Sequence, residues 1–230
     1  MTALTDYPEI FIGSGATTSP FTRAGGPRVA HYTATMGDQT VTQYQAMLNR
    51  AEIRELVPLR FVWRIQNQRL IDGLLEKAAG RPLIVVHGGR TPMQRTDSFS
   101  VDLMPKAAGF NAALAALGDC YRVRVGNARH MYSLPVDLDL GASTSVTDLL
   151  DIGWACAGVV AQCSFAVPLA EAFDKPLLGI WAANGLRSEV GYIRTITPRK
   201  ILTKPTSRYV IDDWPAGKIM EVARAFRAVG

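Results

Sequence analysis

A parallel sheet covered by helices on both faces, an α/β fold, is what the sequence predicts, on three observations. From residue 80 onward, short runs rich in Val, Ile and Leu alternate with stretches of helical periodicity. The runs are five or six residues long and are closed by small or polar residues, as buried parallel strands are. Of the 230 residues, 48% are apolar and the mean hydropathy is +0.08, enough apolar surface to bury both faces of such a sheet.

The elements follow in order. Residues 1–35 contain FIGSGATTSPFTRAGGP and are expected to be loop, with one short strand at 9–12. Val41, Tyr44, Met47 and Leu48 recur at helical spacing and predict an amphipathic helix over 39–55. LRFVWRI (59–65) has strand composition, and 67–79 is expected to be a helix stopped by Gly80. LIVVH (83–87) is the first buried strand and ends in Gly88-Gly89. A helix over 105–117 with Pro105 in its first turn leads to the strand YRVRV (121–125) and Gly126. Only a short segment separates Val125 from Asp137, too little for the usual helical crossover. The helix 145–155 has Thr144 or Ser145 to cap it and Asp148 in its first turn. Strand GVVAQ (158–162), helix 164–173, strand PLLGIW (176–181) and a closing helix 216–228 complete the series.

Composition narrows the function classes. Cys120, Cys156 and Cys163 are odd in number and form no CxxC pair, which predicts reduced thiols and a cytoplasmic setting. His31, His87 and His130 are equally scattered, so no metal site is expected. No apolar run approaches the roughly 20 residues that span a bilayer, and the start lacks a basic-then-apolar leader. The net charge of +5 and pI near 9.3 suit an anionic partner or, equally, a solvated basic surface.

Ligands of open parallel sheets bind beyond the carboxyl ends of the strands, near the switch in strand order. That rule selects Gly88, Gly89, Arg90 and Thr91 after the first strand, Gly126 after the second, and Gln162, Cys163 and Ser164 after the third. Two glycines let backbone approach an anion, and Arg90 and Arg95 can pair with phosphate oxygens. Ser164 stands where a helix is expected to begin and can offer its hydroxyl there. The plainer alternatives are a glycine turn, exposed loop arginines and a serine cap.

The stretch 139–182, DLGASTSVTDLLDIGWACAGVVAQCSFAVPLAEAFDKPLLGIWA, resembles the last part of glycosyltransferase family 9, the heptosyltransferase-like enzymes. In that family a Gly-x-Thr/Ser-Ser helix precedes a strand, an Asp-Ser-Gly-x-x-His loop, an Ala-rich helix and Thr-Pro before a final strand. Gly141, Ser143, Ser145, Leu149, Ala155, Val159, Val160, Ser164, Ala170, Ala172 and Pro176 keep that spacing without a gap, and IVVHGG is similar to the family's opening strand and glycine loop. The resemblance implies a Rossmann-like sheet, the donor-binding half of a B-type glycosyltransferase, over 81–230. Residues 1–80 would then be an N-terminal appendage or a truncated remnant of the acceptor domain. The degenerate loop is the main departure: Cys163 stands at the family's Asp, Phe165 at its Gly and Pro168 at its His, leaving Ser164.

The leading expectation is therefore a protein that binds a nucleotide-diphosphate sugar and transfers the sugar to an acceptor hydroxyl, with no cofactor besides that substrate. Inverting transfer requires a carboxylate base, and Asp38, in a Gly-Asp pair similar to the family's N-terminal loop, is the candidate, although HYTAT before it is a poor core strand and a cap on the following helix is the plainer role for Asp38. Asp97 and Glu189 are the other carboxylates near the rim. A homo-oligomer or a partner chain would complete the cleft. Two alternatives stay open. One is a non-catalytic binding or accessory module that keeps the fold. The other is a nucleic-acid (DNA base) modifying transferase, with the basic residues of 187–208 around Tyr192 and Tyr209 as its surface.

Overall fold

The computed structural model describes residues 2–4, 17–19, 63–88, 105–126, 132–162, 164–183 and 205–227. The first two segments are three-residue strands, β1 (Thr2–Leu4) and β2 (Thr17–Ser19), which pair in parallel. They lie in the region expected to be loop; the strand expected at 9–12 and the helix at 39–55 fall outside the described residues.

The β-branched runs then form one sheet. Helix α1 (Gln68–Ala78) precedes β3 (Leu83–His87), followed by α2 (Ala107–Ala115), β4 (Tyr121–Arg124) and β5 (Leu138–Asp139). Next come α3 (Val146–Ala155), β6 (Gly158–Gln162), α4 (Ala166–Ala172), β7 (Leu177–Trp181), β8 (Arg208–Ile211) and α5 (Ala216–Arg227). Among the described residues the sheet has six strands in the order β5-β4-β3-β6-β7-β8, and every pairing is parallel. The order runs outward from β3 in one direction and from β6 in the other, so the switch point lies between these two central strands.

Alternation along the strands fills two cores. Leu83, Val85, Val123, Val159, Ala161 and Leu177 face α1, α3 and α4. Ile84, Val86, Val160, Leu178, Ile180 and Val210 face α2 and α5 through Phe110, Leu114, Ile219 and Phe226. Helices thus cover both faces, and the packed unit takes in α1. Two glycines permit close layers: a Cβ at Gly158 would lie 2.9 Å from the Phe226 ring, and one at Gly109 would lie 3.0 Å from Asp212.

Three local expectations are corrected. The described end of the 59–65 run, residues 63–65, is not strand; Trp63 is instead buried against Leu150 and Phe173 and donates to Asp151 Oδ1 at 2.6 Å. The strands β5 and β8 were not foreseen, the first because two residues carry no periodicity and the second because Arg208 and Tyr209 read as a basic aromatic surface. The helix after Ser164 starts two residues later, at Ala166. Pro105, expected in the first turn of α2, precedes its N-cap Lys106, whereas the caps of α3 and α1 follow the sequence. Ser145 and Asp148 form a capping box on α3, and Asn67 caps α1, whose other end passes through left-handed backbone at Ala79 (φ 50°) as well as Gly80 (φ 80°).

Candidate functional site

The carboxyl ends of β3 and β6 bring His87 and Ser164 together. Ser164 Oγ lies 2.8 Å from His87 Nδ1, a hydrogen bond across the switch point between residues 77 positions apart. The same hydroxyl accepts a longer bond, 3.3 Å, from the Ala166 N–H, so the turn before α4 fixes its place. His87 is the last residue of β3 and is buried. Its ring meets Phe165 in a T-shaped contact with centroids 4.6 Å apart. On another side it leans on Gly126, where φ is +131° and a Cβ would sit 3.0 Å from the imidazole. Only glycine meets both demands at that position.

Gly88 continues from His87 and is buried. A Cβ there would fall 2.2 Å from the Phe110 ring, so packing against α2 is the reason for glycine at this point. Its carbonyl accepts from Arg124 Nη2 at 2.9 Å. Arg124 ends β4, is 2% exposed, and also donates through Nη1 to the Tyr132 carbonyl at 3.1 Å. Its ion-pair partner is the more exposed Asp139, at 3.6 Å, and among the described residues its Nε has no hydrogen-bond partner. Burial pulls this guanidinium below its ordinary pKa, with Asp139 and Tyr132 opposing.

Further bonds extend the rim. The Ala142 N–H donates to the Gly126 carbonyl at 2.9 Å, and Ala142 takes left-handed backbone (φ 64°) to do so. Tyr132 Oη donates to the Pro105 carbonyl at 2.7 Å. Buried Asp212, just past β8, accepts from the N–H groups of Lys106 (2.7 Å) and Ala183 (2.8 Å).

Of the residues selected from sequence, Gly88, Gly126, Gln162 and Ser164 all stand at the carboxyl ends of adjacent strands β4, β3 and β6. Gln162 is the buried last residue of β6. Asp38, Gly89, Arg90, Thr91, Arg95 and Cys163 lie outside the described residues, as do Asp97, Glu189 and Tyr192. Sequence reasoning passed over His87, Arg124 and Phe165. The place of His87 at the end of LIVVH is the signal that sets it apart from His31 and His130. Tyr209 packs on Trp214 at 5.9 Å, and Lys218 Nζ sits 3.7 Å over that indole, so these aromatics are engaged within the chain. No helix of the described residues is long and apolar enough to cross a membrane.

No protein-family model matches the chain, and no curated protein does. Solved structures do. The glycosyl transferase family 9 protein from Veillonella parvula is similar over 100% of this chain and 67% of its own length, with TM-score 0.57 and 8% identity. The ADP-heptose lps heptosyltransferase II of E. coli is similar over 76% of this chain, with TM-score 0.53 and 13% identity. This chain spans 55% of that second protein. The six-stranded parallel sheet, with its switch between β3 and β6, is thus the α/β fold found in these glycosyltransferases.

Proposed function

We propose that this chain binds a nucleotide-diphosphate sugar in the crevice between the ends of β3 and β6 and transfers the sugar to an acceptor hydroxyl. The observation that carries the reading is the Ser164–His87 hydrogen bond at the switch point, beside Gly88. Ser164 would contact a phosphate oxygen, with His87 as the positioning residue that holds its hydroxyl. Arg90 and Arg95, which follow Gly88 in sequence, would neutralise the departing diphosphate. The sugar nucleotide is itself the substrate and no further cofactor is invoked. Residues 81–230 form the donor-type unit in this reading. Asp38, in the N-terminal appendage of residues 1–80, or a partner chain would supply the base that deprotonates the acceptor.

A binding module without turnover is the second reading, favoured by one observation. Pro168 lies within α4 and Cys163 precedes Ser164, where the similar family's loop carries an imidazole and a carboxylate. A panel of UDP-, ADP- and GDP-sugars in a thermal-shift assay tests the site. At 100 times Kd a ligand stabilises by about 2.7 kcal/mol, so a genuine donor raises Tm by several degrees. Ser164→Ala should reduce that rise. If no member of the panel raises Tm, the site proposal is wrong; a rise without release of free nucleoside diphosphate leaves the binding module.

A further inference from the structure

Phe165 breaks the pattern of a buried apolar side chain. Among the described residues the large apolar side chains left well exposed are Leu75, on α1, and Phe165, 43% exposed at the switch-point rim. An exposed leucine on the outer side of a surface helix requires no special explanation. An exposed phenyl directly after Ser164 is different, because it stands where an open parallel sheet takes its ligands.

The ring is also braced. Its T-shaped contact with His87 restrains it, and His87 is itself held by Ser164 on one side and by Gly126 on another. Phe165 has helical backbone (φ −56°, ψ −28°) and leads directly into α4, so its attachment is as fixed as its contact. A pre-positioned, half-exposed aromatic surface suits a flat aromatic ring, since restraining the platform beforehand lowers the cost of ordering it on binding. In a nucleotide sugar the flat aromatic group is the base.

We infer that Phe165 is a stacking platform for the base of a nucleoside diphosphate whose phosphates reach the Ser164 and Gly88 rim. This rests on the donor-site reading above. It also makes a base contact out of the place where the similar family has glycine, a feature of this chain's own sequence. Every base has a π face, so the platform gives affinity and little discrimination among bases.

Calorimetric titration of the full chain with ADP, UDP and inorganic pyrophosphate tests it. Phe165→Ala should weaken ADP and UDP about tenfold or more, the range of base–aromatic stacking. It should leave pyrophosphate, which has no base, unchanged, and Phe165→Trp should keep nucleotide binding near wild type. The exposure of the ring means that the variants should fold, which a thermal melt verifies. Unchanged or tighter nucleotide binding by Phe165→Ala, or an equal loss for pyrophosphate, overturns the platform alone. Failure of the wild-type chain to bind any of the three ligands overturns the donor site beneath it.

Discussion

Arg124 places a buried guanidinium under the rim and spends its donors on two backbone carbonyls, those of Gly88 and Tyr132. Burying such a charge costs several kcal/mol, and its ion-pair partner, Asp139, is 3.6 Å away and 47% exposed. An apolar residue would fill the space, so the distinctive contribution of arginine is to tie two loops. Arg124→Met should leave both carbonyls without that donor and lower unfolding stability by about 2 kcal/mol, measured by urea denaturation. Arg124→Lys, which keeps a charge and loses the fork, should recover part of the loss; equal stability of all three proteins would refute the tie. None of this was legible in YRVRV, whose alternation marks Arg122 and Arg124 as facing one side of the strand and says nothing of what lies there. The pairing of His87 with Ser164 was hidden for a similar reason: 77 residues separate them, and only the strand order joins them.

At the scale of elements, the two arginines that grip Asp137 join the turn after α1, the start of β4 and the approach to β5. Arg122 Nε and its backbone N–H donate to Oδ2, both at 2.9 Å, and Arg81 donates to Oδ1 at 3.1 Å. Burial pushes this carboxyl up, but the bonds from Arg122 and Arg81 outweigh it and bring the pKa down to about 2. A folded-state pKa below the unfolded one means stability that is present above the ordinary aspartate value and is lost as pH falls from about 4 toward about 2. Denaturation midpoints over that window should fall for wild type and fall less for Asp137→Asn. Most elements were readable because they are long or capped: the β3, β6 and β7 runs, and α3 with its Ser145–Asp148 box. The two-residue β5 was not, because it is defined by register to β4 (Val123 to Leu138) and not by its own composition.

For the molecule as a whole, one carboxylate anchors the incoming chain. Asp151 is fully buried on α3 and accepts from Trp63 Nε1 (2.6 Å), the Gln66 N–H (3.0 Å) and the Asn67 N–H (2.7 Å). It therefore sets where the chain meets the sheet unit before α1. Asp151→Ala would leave these donors unsatisfied and should cost about 3 kcal/mol or more, read by urea denaturation, with Trp63 fluorescence shifting to the red as its pocket loosens. A loss below about 1 kcal/mol would mean that the apolar contacts of Trp63 with Leu150 and Phe173 suffice.

The hydrogen bonds along the strand ends make a continuous load path. It runs from the Gly88 carbonyl through Arg124 to Tyr132, from Tyr132 to Pro105, and from neighbouring Lys106 through Asp212 to Ala183. The girdle spans the rim from the centre of the sheet to its far side, above α2. Each link is a side chain held between backbone groups, Arg124, Tyr132 and Asp212 in turn, so a molecule that displaces Gly88 should also strain the clasp at Asp212. Asp212→Ala, remote from the crevice, should therefore raise amide exchange at Gly88 as well as at Lys106 and Ala183. Exchange confined to the latter two would show that the girdle is open between Pro105 and Gly88.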